Sequence, residues 1–227
     1  MNLYVIIEGE LGAKKLYASW IPFVNPALTQ ASQIPDVLHN HFYIEAAFGL
    51  PQYFDRIRDA IENVATLEHN GVRQFDRLVI AIDSEDMSCA DKQTEVLAEI
   101  QPTLNGCGVA IDCRLVIQHF CVETWALGNR RLRGGTPDAK LVRYRAIHNV
   151  HTLDPELLPA LPREDLNRAQ FAYRYLRLLH NAKYHRQTYS KNDPKVVAHK
   201  SYFDALVGRL HNTGHIASFG KFLGAFV

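Results

Sequence analysis

The sequence predicts an α/β protein built on a parallel sheet, and three observations support this prediction. Short apolar runs rich in β-branched residues recur through the first half of the chain, and stretches with helical spacing of apolar residues lie between them. The clearest runs are continuously apolar, which is typical of strands covered on both faces. Strands that alternate with helices favour right-handed crossover connections, and these connections produce a parallel sheet.

The predicted elements follow one another in a regular order. The run 3–7 ends at Glu8-Gly9, which indicates a buried strand followed by a turn. The apolar residues of the next stretch, 13–23, have helical spacing, and the polar residues 24–40 form a connection. The further predictions are a strand over 42–48, a helix over 52–67, a strand over 77–83, a helix over 92–104 and a strand over 111–120.

The pattern changes beyond residue 125. Residues 128–135 carry three arginines between glycines and predict an exposed basic loop. A proline-rich link follows, then a predicted helix over 164–179 and a final third rich in Lys, His and Tyr. We therefore predict an α/β domain over residues 1–127 and a basic, mainly helical C-terminal extension over residues 128–227 that packs on it.

Composition limits the classes of protein that the chain can belong to. Lys and Arg number 25 against 24 Asp and Glu, so the bulk charge of +1 neither favours nor excludes a nucleic-acid partner. No apolar run approaches the roughly 20 residues of a membrane span, and the first apolar run is too short for a signal peptide. The four cysteines form no CxxC pair and are expected to be reduced thiols. We expect a cytoplasmic protein with no membrane partner.

Acidic residues follow two of the predicted strands. Glu8 comes directly after the first strand, and Asp83, Glu85 and Asp86 end and follow the strand over 77–83. In a parallel α/β sheet, ligands gather at the carboxyl ends of the strands. Carboxylates that converge there repel one another, and a bound Mg²⁺ or Mn²⁺ relieves that repulsion. The alternative for each acid taken singly is a helix cap or a solvated turn residue.

The chain resembles the TOPRIM fold, the metal-binding domain of topoisomerases, primases and overcoming-lysogenization-defect nucleases, in the segments IIEGELGAKKL and LVIAIDSED. In that family a Glu follows the first strand and a DxD motif follows a later one. Glu8 matches the first position and Asp83 with Glu85 the second, although Glu85 stands where the family has Asp; Asp86 is a spare carboxylate. The segment HFCVETWALGNRR is similar to a stretch of small TOPRIM-like proteins of bacterial phage defence, which makes Glu123 a further metal ligand. Its alternative is a helix-start carboxylate favoured by the helix dipole.

The resemblance implies a Mg²⁺- or Mn²⁺-dependent nuclease that cleaves phosphodiester bonds in DNA or RNA. Glu8, Asp83 and Glu85 would be its catalytic residues. It also implies the effector of an antiviral defence system, under the control of a regulatory protein partner such as an ATPase. The departure at Glu85 keeps a second hypothesis open, namely a non-catalytic nucleic-acid-binding or regulatory partner protein with a degenerate TOPRIM site.

A nucleic-acid substrate requires a basic surface, and the second half of the chain offers one. Tyrosines lie among the cations, which suits a nucleic-acid strand because cations contact phosphates and aromatic rings stack on unpaired bases. The alternative is a solvated surface. The sequence also has no GxSxG and no P-loop motif, so it gives no support for a serine hydrolase or a P-loop enzyme. The residues predicted to bind nucleic acid are Arg130, Arg131, Arg133, Lys183, Arg186 and Lys191.

Overall fold

The computed structural model describes residues 1–9, 11–49, 52–161, 164–184 and 188–227. Its strands are β1 (Leu3–Ile7), β2 (Thr29–Gln30), β3 (His41–Ala46), β4 (Glu68–His69), β5 (Val72–Arg73), β6 (Arg77–Asp83) and β7 (Asp112–Gln118). Its α-helices are α1 (Leu11–Val24), α2 (Gln52–Thr66), α3 (Cys89–Gly106), α4 (Val122–Ala126), α5 (Ala139–Ile147), α6 (Arg168–Tyr184), α7 (Lys200–Thr213) and α8 (Ala217–Ala225).

The main sheet is parallel and has five strands in the order β2-β3-β1-β6-β7. The predicted α/β class, a parallel sheet flanked by helices, is therefore confirmed. β1 lies between β3 and β6, with Ile7 opposite Ala46 on one side and Ala81 on the other. All five residues of β1 are buried, which explains why its sequence is a continuous apolar run.

A small antiparallel hairpin, β4-β5, interrupts this alternation before β6. Its turn residues Asn70 and Gly71 both have positive φ, at 53° and 75°. Two such residues are typical of a tight hairpin whose twist matches that of its strands. The sequence analysis did not predict this hairpin.

The chain divides into two compact units that are discontinuous in sequence. The first comprises residues 1–82, 90–117 and 223–227, and the second comprises residues 83–89 and 118–222. The predicted boundary between residues 127 and 128 falls inside the second unit. The reason is that α4, which precedes that boundary, packs on α6 and on the 3₁₀ turn Pro155–Leu157 of the same unit.

The first unit is held by contacts between its sheet and its helices. α1 packs on β3 and α2 packs on β1. The buried Tyr53 of α2 donates a hydrogen bond from its hydroxyl to the Ala81 carbonyl oxygen, 2.7 Å away, and so ties α2 to β6. At the other end of β6, Arg77 Nε donates to Asp112 Oδ2 at 2.7 Å and links β6 to β7.

Aromatic residues form much of the core of the second unit. Trp125 of α4 is fully buried, packs against Phe219 and Phe222, and donates from Nε1 to Ser218 Oγ at 2.6 Å. Ser218 in turn is bonded to the buried Glu156 through its backbone N–H, at 3.0 Å from Oε1, and through its hydroxyl. Burial raises the pKa of Glu156 above its ordinary value. These contacts fix the short helix α4, which carries a predicted site residue.

The helices α5, α6, α7 and α8 agree with the prediction that the second half is mainly helical. Of these four helices, only α6 was predicted at its position in the sequence. α6 runs to Tyr184, beyond the predicted end at 179. In the ranges that the structure describes, no helix combines the length and the apolar character needed to cross a lipid bilayer. The cytoplasmic location stays a prediction.

His180 of α6 makes the stability of the fold sensitive to acid. The residue is 1% exposed, and neither ring nitrogen has a hydrogen-bond partner in the described part of the chain. Burial, together with the nearby Lys183, lowers the pKa of His180 from 6.5 to about 4. Between these two values the unfolded chain binds a proton that the folded protein does not, so stability is complete above pH 6.5 and is lost as the pH falls towards 4.

We predict that lowering the pH from 7 to 5 costs about 2 kcal/mol of unfolding free energy through His180. In His180→Phe, which keeps an aromatic ring beside Tyr202, this contribution should disappear. Urea unfolding at both pH values measures the difference, with the exposed His211→Gln as control. An unchanged pH dependence in His180→Phe would show that the buried ring does not cause it.

Candidate functional site

Two chain segments that follow neighbouring strands run side by side in the second unit. The Ser84 N–H donates to the Gln118 carbonyl oxygen at 2.9 Å, and the Glu85 N–H donates to the Phe120 carbonyl oxygen at 2.9 Å. These bonds continue the pairing of β6 and β7 past the ends of the strands. They hold the predicted Asp83-Ser84-Glu85 motif beside the segment that leads into α4 and Glu123.

Glu123 is a buried carboxylate with two partners. Its side chain is 1% exposed, and its Oε1 accepts a hydrogen bond from the Tyr189 hydroxyl at 2.9 Å. Lys191 Nζ lies 3.8 Å from the same oxygen. A buried carboxylate requires such partners because desolvation penalises its charged form. Glu123 also lies in the first turn of α4, which agrees with the alternative of a helix-start carboxylate, and its role as a metal ligand stays a prediction.

The negative charge of Asp83 acts to raise the pKa of Lys191, as the charge of Glu123 does. Burial lowers the pKa of Lys191, but the negative charges of Glu123 and Asp83 and the Cys121 side chain outweigh burial and raise the pKa above its ordinary value. The ammonium group is consequently charged at neutral pH. Lys191 also lies over the ring of Tyr173, with Nζ 5.5 Å from the ring centroid. We call Asp83, Glu123 and Lys191 the carboxylate–lysine cluster.

The other groups around this cluster keep their protons. Burial, followed by the charge of Glu123, raises the pKa of Tyr189 well above its ordinary value, so the hydroxyl remains a donor to Glu123. Burial and the charges of Glu123 and Asp83 likewise raise the pKa of the Cys121 thiol well above its ordinary value. A protonated, buried thiol is a weak nucleophile. The chemistry of the cluster therefore belongs to its carboxylates and its ammonium group.

The remaining predicted acids have different surroundings. Glu8 belongs to the first unit, directly after β1, and its N–H donates to the Ala81 carbonyl oxygen at 2.8 Å. Glu85 is exposed and has a φ of 52°, in the left-handed region. Asp86 is also exposed and lies 3.4 Å from Nη1 of Arg168. Their assignment as ligands stays a prediction.

In the parts of the chain that the structure covers, no group of three or more His, Cys, Asp and Glu side chains could hold a metal ion. In the second unit, the charges of Asp83 and Glu123 both raise the pKa of Lys191. Mg²⁺ is often bound through only one or two protein carboxylates, and it completes its octahedral shell with water and substrate phosphate oxygens. Two carboxylates are thus a chemically sufficient protein contribution to such a site.

A basic groove with a volume of about 210 Å³ lies in the second unit. Arg131 and Lys183, two of the predicted nucleic-acid-binding residues, line it, and the ammonium group of Lys183 donates to the Arg131 carbonyl oxygen. Gly135 fixes this loop against α6, because a Cβ atom at that position would lie 1.6 Å from the Ala182 carbonyl oxygen. The other residues of the groove include Asn129, Tyr184, Val196, His199, Ser201 and Tyr202.

The other predicted cations do not line this groove. The charges of Arg130 and Arg133 both lower the pKa of the buried His151. Lys191 belongs to the carboxylate–lysine cluster, and Arg186 lies outside the described residues. The sequence analysis also missed a second basic cavity, about 270 Å³ in volume, on α6. It is lined by Lys140, Arg174, Arg177, Leu178 and Asn181. Arg174 and Arg177 are three residues apart and therefore lie on one face of the helix. This spacing is the sequence pattern from which a basic surface on α6 could have been predicted.

Sequence reasoning missed a further polar contact beside the cluster. Ser84, which is fully buried, has its Oγ 3.1 Å from Nδ1 of His119. Burial, followed by the positive charge of Arg168, lowers the pKa of His119, so the ring is neutral at pH 7. No motif spacing connects residues 84 and 119, because they meet only through the pairing of β6 with β7.

Comparison with known proteins adds no assignment: no family model, no curated protein and no solved structure matches the chain. The fold and the site therefore define the class of protein only as far as an α/β protein with a carboxylate–lysine cluster. Its TOPRIM character depends on the two sequence segments given above. It stays a prediction.

The hydrogen bond from Tyr189 to Glu123 should be a main source of stability in the cluster. We expect Tyr189→Phe to lower the free energy of unfolding by about 1–3 kcal/mol, because a buried charge loses a donor. Urea denaturation measures this loss. Tyr173→Phe is the matched control, since it keeps the ring beneath Lys191. Equal stability of the two variants would contradict the assigned role of the Tyr189 hydroxyl.

Proposed function

We propose that the protein is a Mg²⁺- or Mn²⁺-dependent nuclease of the TOPRIM type that cleaves phosphodiester bonds in DNA or RNA. The observation that carries this proposal is the proximity of the Lys191 ammonium group to Glu123 in the second unit, where the charge of Asp83 also raises the pKa of this lysine. Two carboxylates and an ammonium group are the residue types that phosphoryl chemistry uses, because one type binds metal and the other binds phosphate.

The carboxylates of Asp83 and Glu123 would hold the metal ion. When bound there, Mg²⁺ or Mn²⁺ supplies an activated water and neutralises charge on the phosphodiester. Tyr189 keeps Glu123 in place by donating to Oε1. Glu8, Glu85 and Asp86 are proposed as additional acidic groups of the nuclease.

Lys191 would stabilise the negative charge that develops on the phosphate. Its side chain is 57% exposed, and its distance of 3.8 Å from Glu123 Oε1 exceeds that of a direct hydrogen bond. The side chain is therefore only partly covered, and its raised pKa keeps the ammonium group charged. Before substrate binds, the same group offsets the repulsion between the two carboxylates.

The basic groove is proposed to bind the nucleic acid. Arg131 and Lys183 supply positive charge, and the exposed Tyr184 supplies an aromatic ring beside them. This combination suits a single strand, whose phosphates and unstacked bases require both. We further propose that the nuclease acts in the cytoplasm as an antiviral defence effector and that a protein partner such as an ATPase regulates it.

Cleavage assays on plasmid, single-stranded DNA and tRNA with Mg²⁺ or Mn²⁺ test this proposal. We expect Asp83→Asn and Glu123→Gln each to reduce metal-dependent cleavage by roughly 100-fold or more, because a charged ligand is lost. Asp193→Asn is the control, since Asp193 is a surface acid paired with Lys195. Cleavage that persists in both cluster variants would refute the assigned site.

A second candidate function is a non-catalytic nucleic-acid-binding or regulatory partner protein with a degenerate site. Two observations favour it: Lys191 already offsets the charge of Glu123, and the described residues hold no group of three metal ligands. Calorimetric titration with Mg²⁺ and Mn²⁺ separates the two functions. Nucleic-acid binding without metal binding at millimolar concentration would favour the second.

A further inference from the structure

His151 is buried in an unusual polar environment in the second unit. The residue is 7% exposed, and neither Nδ1 nor Nε2 has a hydrogen-bond partner among the described protein residues. Buried polar groups are almost always paired, and an exception requires an explanation. His180 lacks such partners as well within the described ranges, but the pKa of His151 is lowered by several arginine charges, whereas Lys183 is the cation that lowers the pKa of His180.

The positive charges of four arginines from three chain segments act on the pKa of this histidine. Arg130 and Arg133 come from the loop after α4, Arg145 from the last turn of α5, and Arg209 from α7. Burial, followed by the positive charges of these four guanidinium groups, lowers the pKa of His151 to about 4. The effect of each arginine on one imidazole shows that their charges converge on it. We call these four arginines and His151 the arginine–histidine cluster.

Arg209 is fixed in position at the base of this cluster. Although it is 3% exposed, its Nη1 donates to the Val150 carbonyl oxygen at 3.0 Å and its Nη2 to the Leu153 carbonyl oxygen at 2.7 Å. These two carbonyl groups flank His151 in sequence. Nε also donates to His215 Nδ1 at 3.1 Å. The guanidinium is thus built into the loop that carries the histidine.

The cluster carries more positive than negative charge. The negative charge of Asp154 acts to raise the pKa values of Arg209 and His215. Its Oδ1 already accepts hydrogen bonds from the N–H groups of Glu156 and Ile216, at 3.1 and 3.0 Å. Burial and the neighbouring Arg130 lower the pKa of Arg209 to about 10. The buried Nε atoms of Arg130 and Arg145 also have no hydrogen-bond partner within the described ranges. Repelling cations with unused donors favour the binding of an anion.

We propose that Arg130, Arg133, Arg145, Arg209 and His151 form a binding pocket for a phosphate group. A phosphate dianion offers several acceptor oxygens and two negative charges, which several guanidinium groups can satisfy at once. The pocket shares no residue with the carboxylate–lysine cluster and does not depend on the proposed nuclease function. Its phosphate could be inorganic phosphate or the terminal phosphate of a nucleic acid, and the experiment distinguishes these sources.

The test follows the His151 ring by NMR during titration with sodium phosphate, with sodium chloride at equal ionic strength as reference. We expect saturable binding at millimolar phosphate or below and an upward shift of the His151 pKa, because a bound anion stabilises the imidazolium form. Arg145→Gln should weaken phosphate binding by roughly tenfold or more. Arg143→Gln is the matched control on the same helix, since Arg143 is paired with Glu164.

Further variants and ligands complete the test. Glu123→Gln should bind phosphate like the wild type, which separates this pocket from the proposed nuclease site. The exposed Arg133→Gln gives a second variant if Arg145→Gln does not fold. Tighter binding of a 5′-phosphorylated than of a 5′-hydroxyl oligonucleotide would assign the pocket to nucleic-acid ends, and equal binding of the two would assign it to free phosphate. Absence of saturable phosphate binding, or equal weakening by Arg143→Gln and Arg145→Gln, would overturn the proposal.

Discussion

The buried carboxylate of Glu123 is the constraint on which the proposed site depends. A charged group at 1% exposure is stable only with partners, and the second unit provides the Tyr189 hydroxyl and the Lys191 ammonium. These partners come from a segment more than 60 residues later in the chain. The fold of the second unit therefore brings the segment around Tyr189 and Lys191 to the start of α4. The charge of Asp83 also acts to raise the pKa of Lys191.

Charged side chains of the second unit form two clusters, for which we propose ligands of opposite charge. In the carboxylate–lysine cluster, the charges of two acids raise the pKa of one ammonium group, and we propose that this cluster binds a metal ion and a phosphate oxygen together. In the arginine–histidine cluster, burial and the charges of four guanidinium groups lower the pKa of one imidazole, and the ligand that we propose for this cluster is an anion. Both proposed sites would bind phosphate, a phosphodiester at the carboxylate–lysine cluster and inorganic or terminal phosphate at the arginine–histidine cluster.

The sequence allowed prediction of the parts of the fold that depend on local patterns. Continuous apolar runs identified β1 and β6 because both strands are covered on both faces. α7 was missed because its buried face contains Tyr202 and Arg209, so it lacks a purely aliphatic stripe. The metal-ligand role of Glu123 was inferred from a resemblance, but its pairing with Tyr189 was not. Contacts between residues far apart in sequence, such as those around His151, leave no spacing pattern that sequence reasoning can use.

Soaking crystals of the protein with Mn²⁺ and recording its anomalous scattering tests the central claim most directly. The account predicts an anomalous peak within coordination distance of the carboxylate oxygens of Asp83 and Glu123, with the Lys191 ammonium beside it. Crystals of Glu123→Gln should show no peak at this position. A Mn²⁺ peak found only elsewhere, with Lys191 still paired to Glu123, would contradict the claim that these carboxylates form a metal centre.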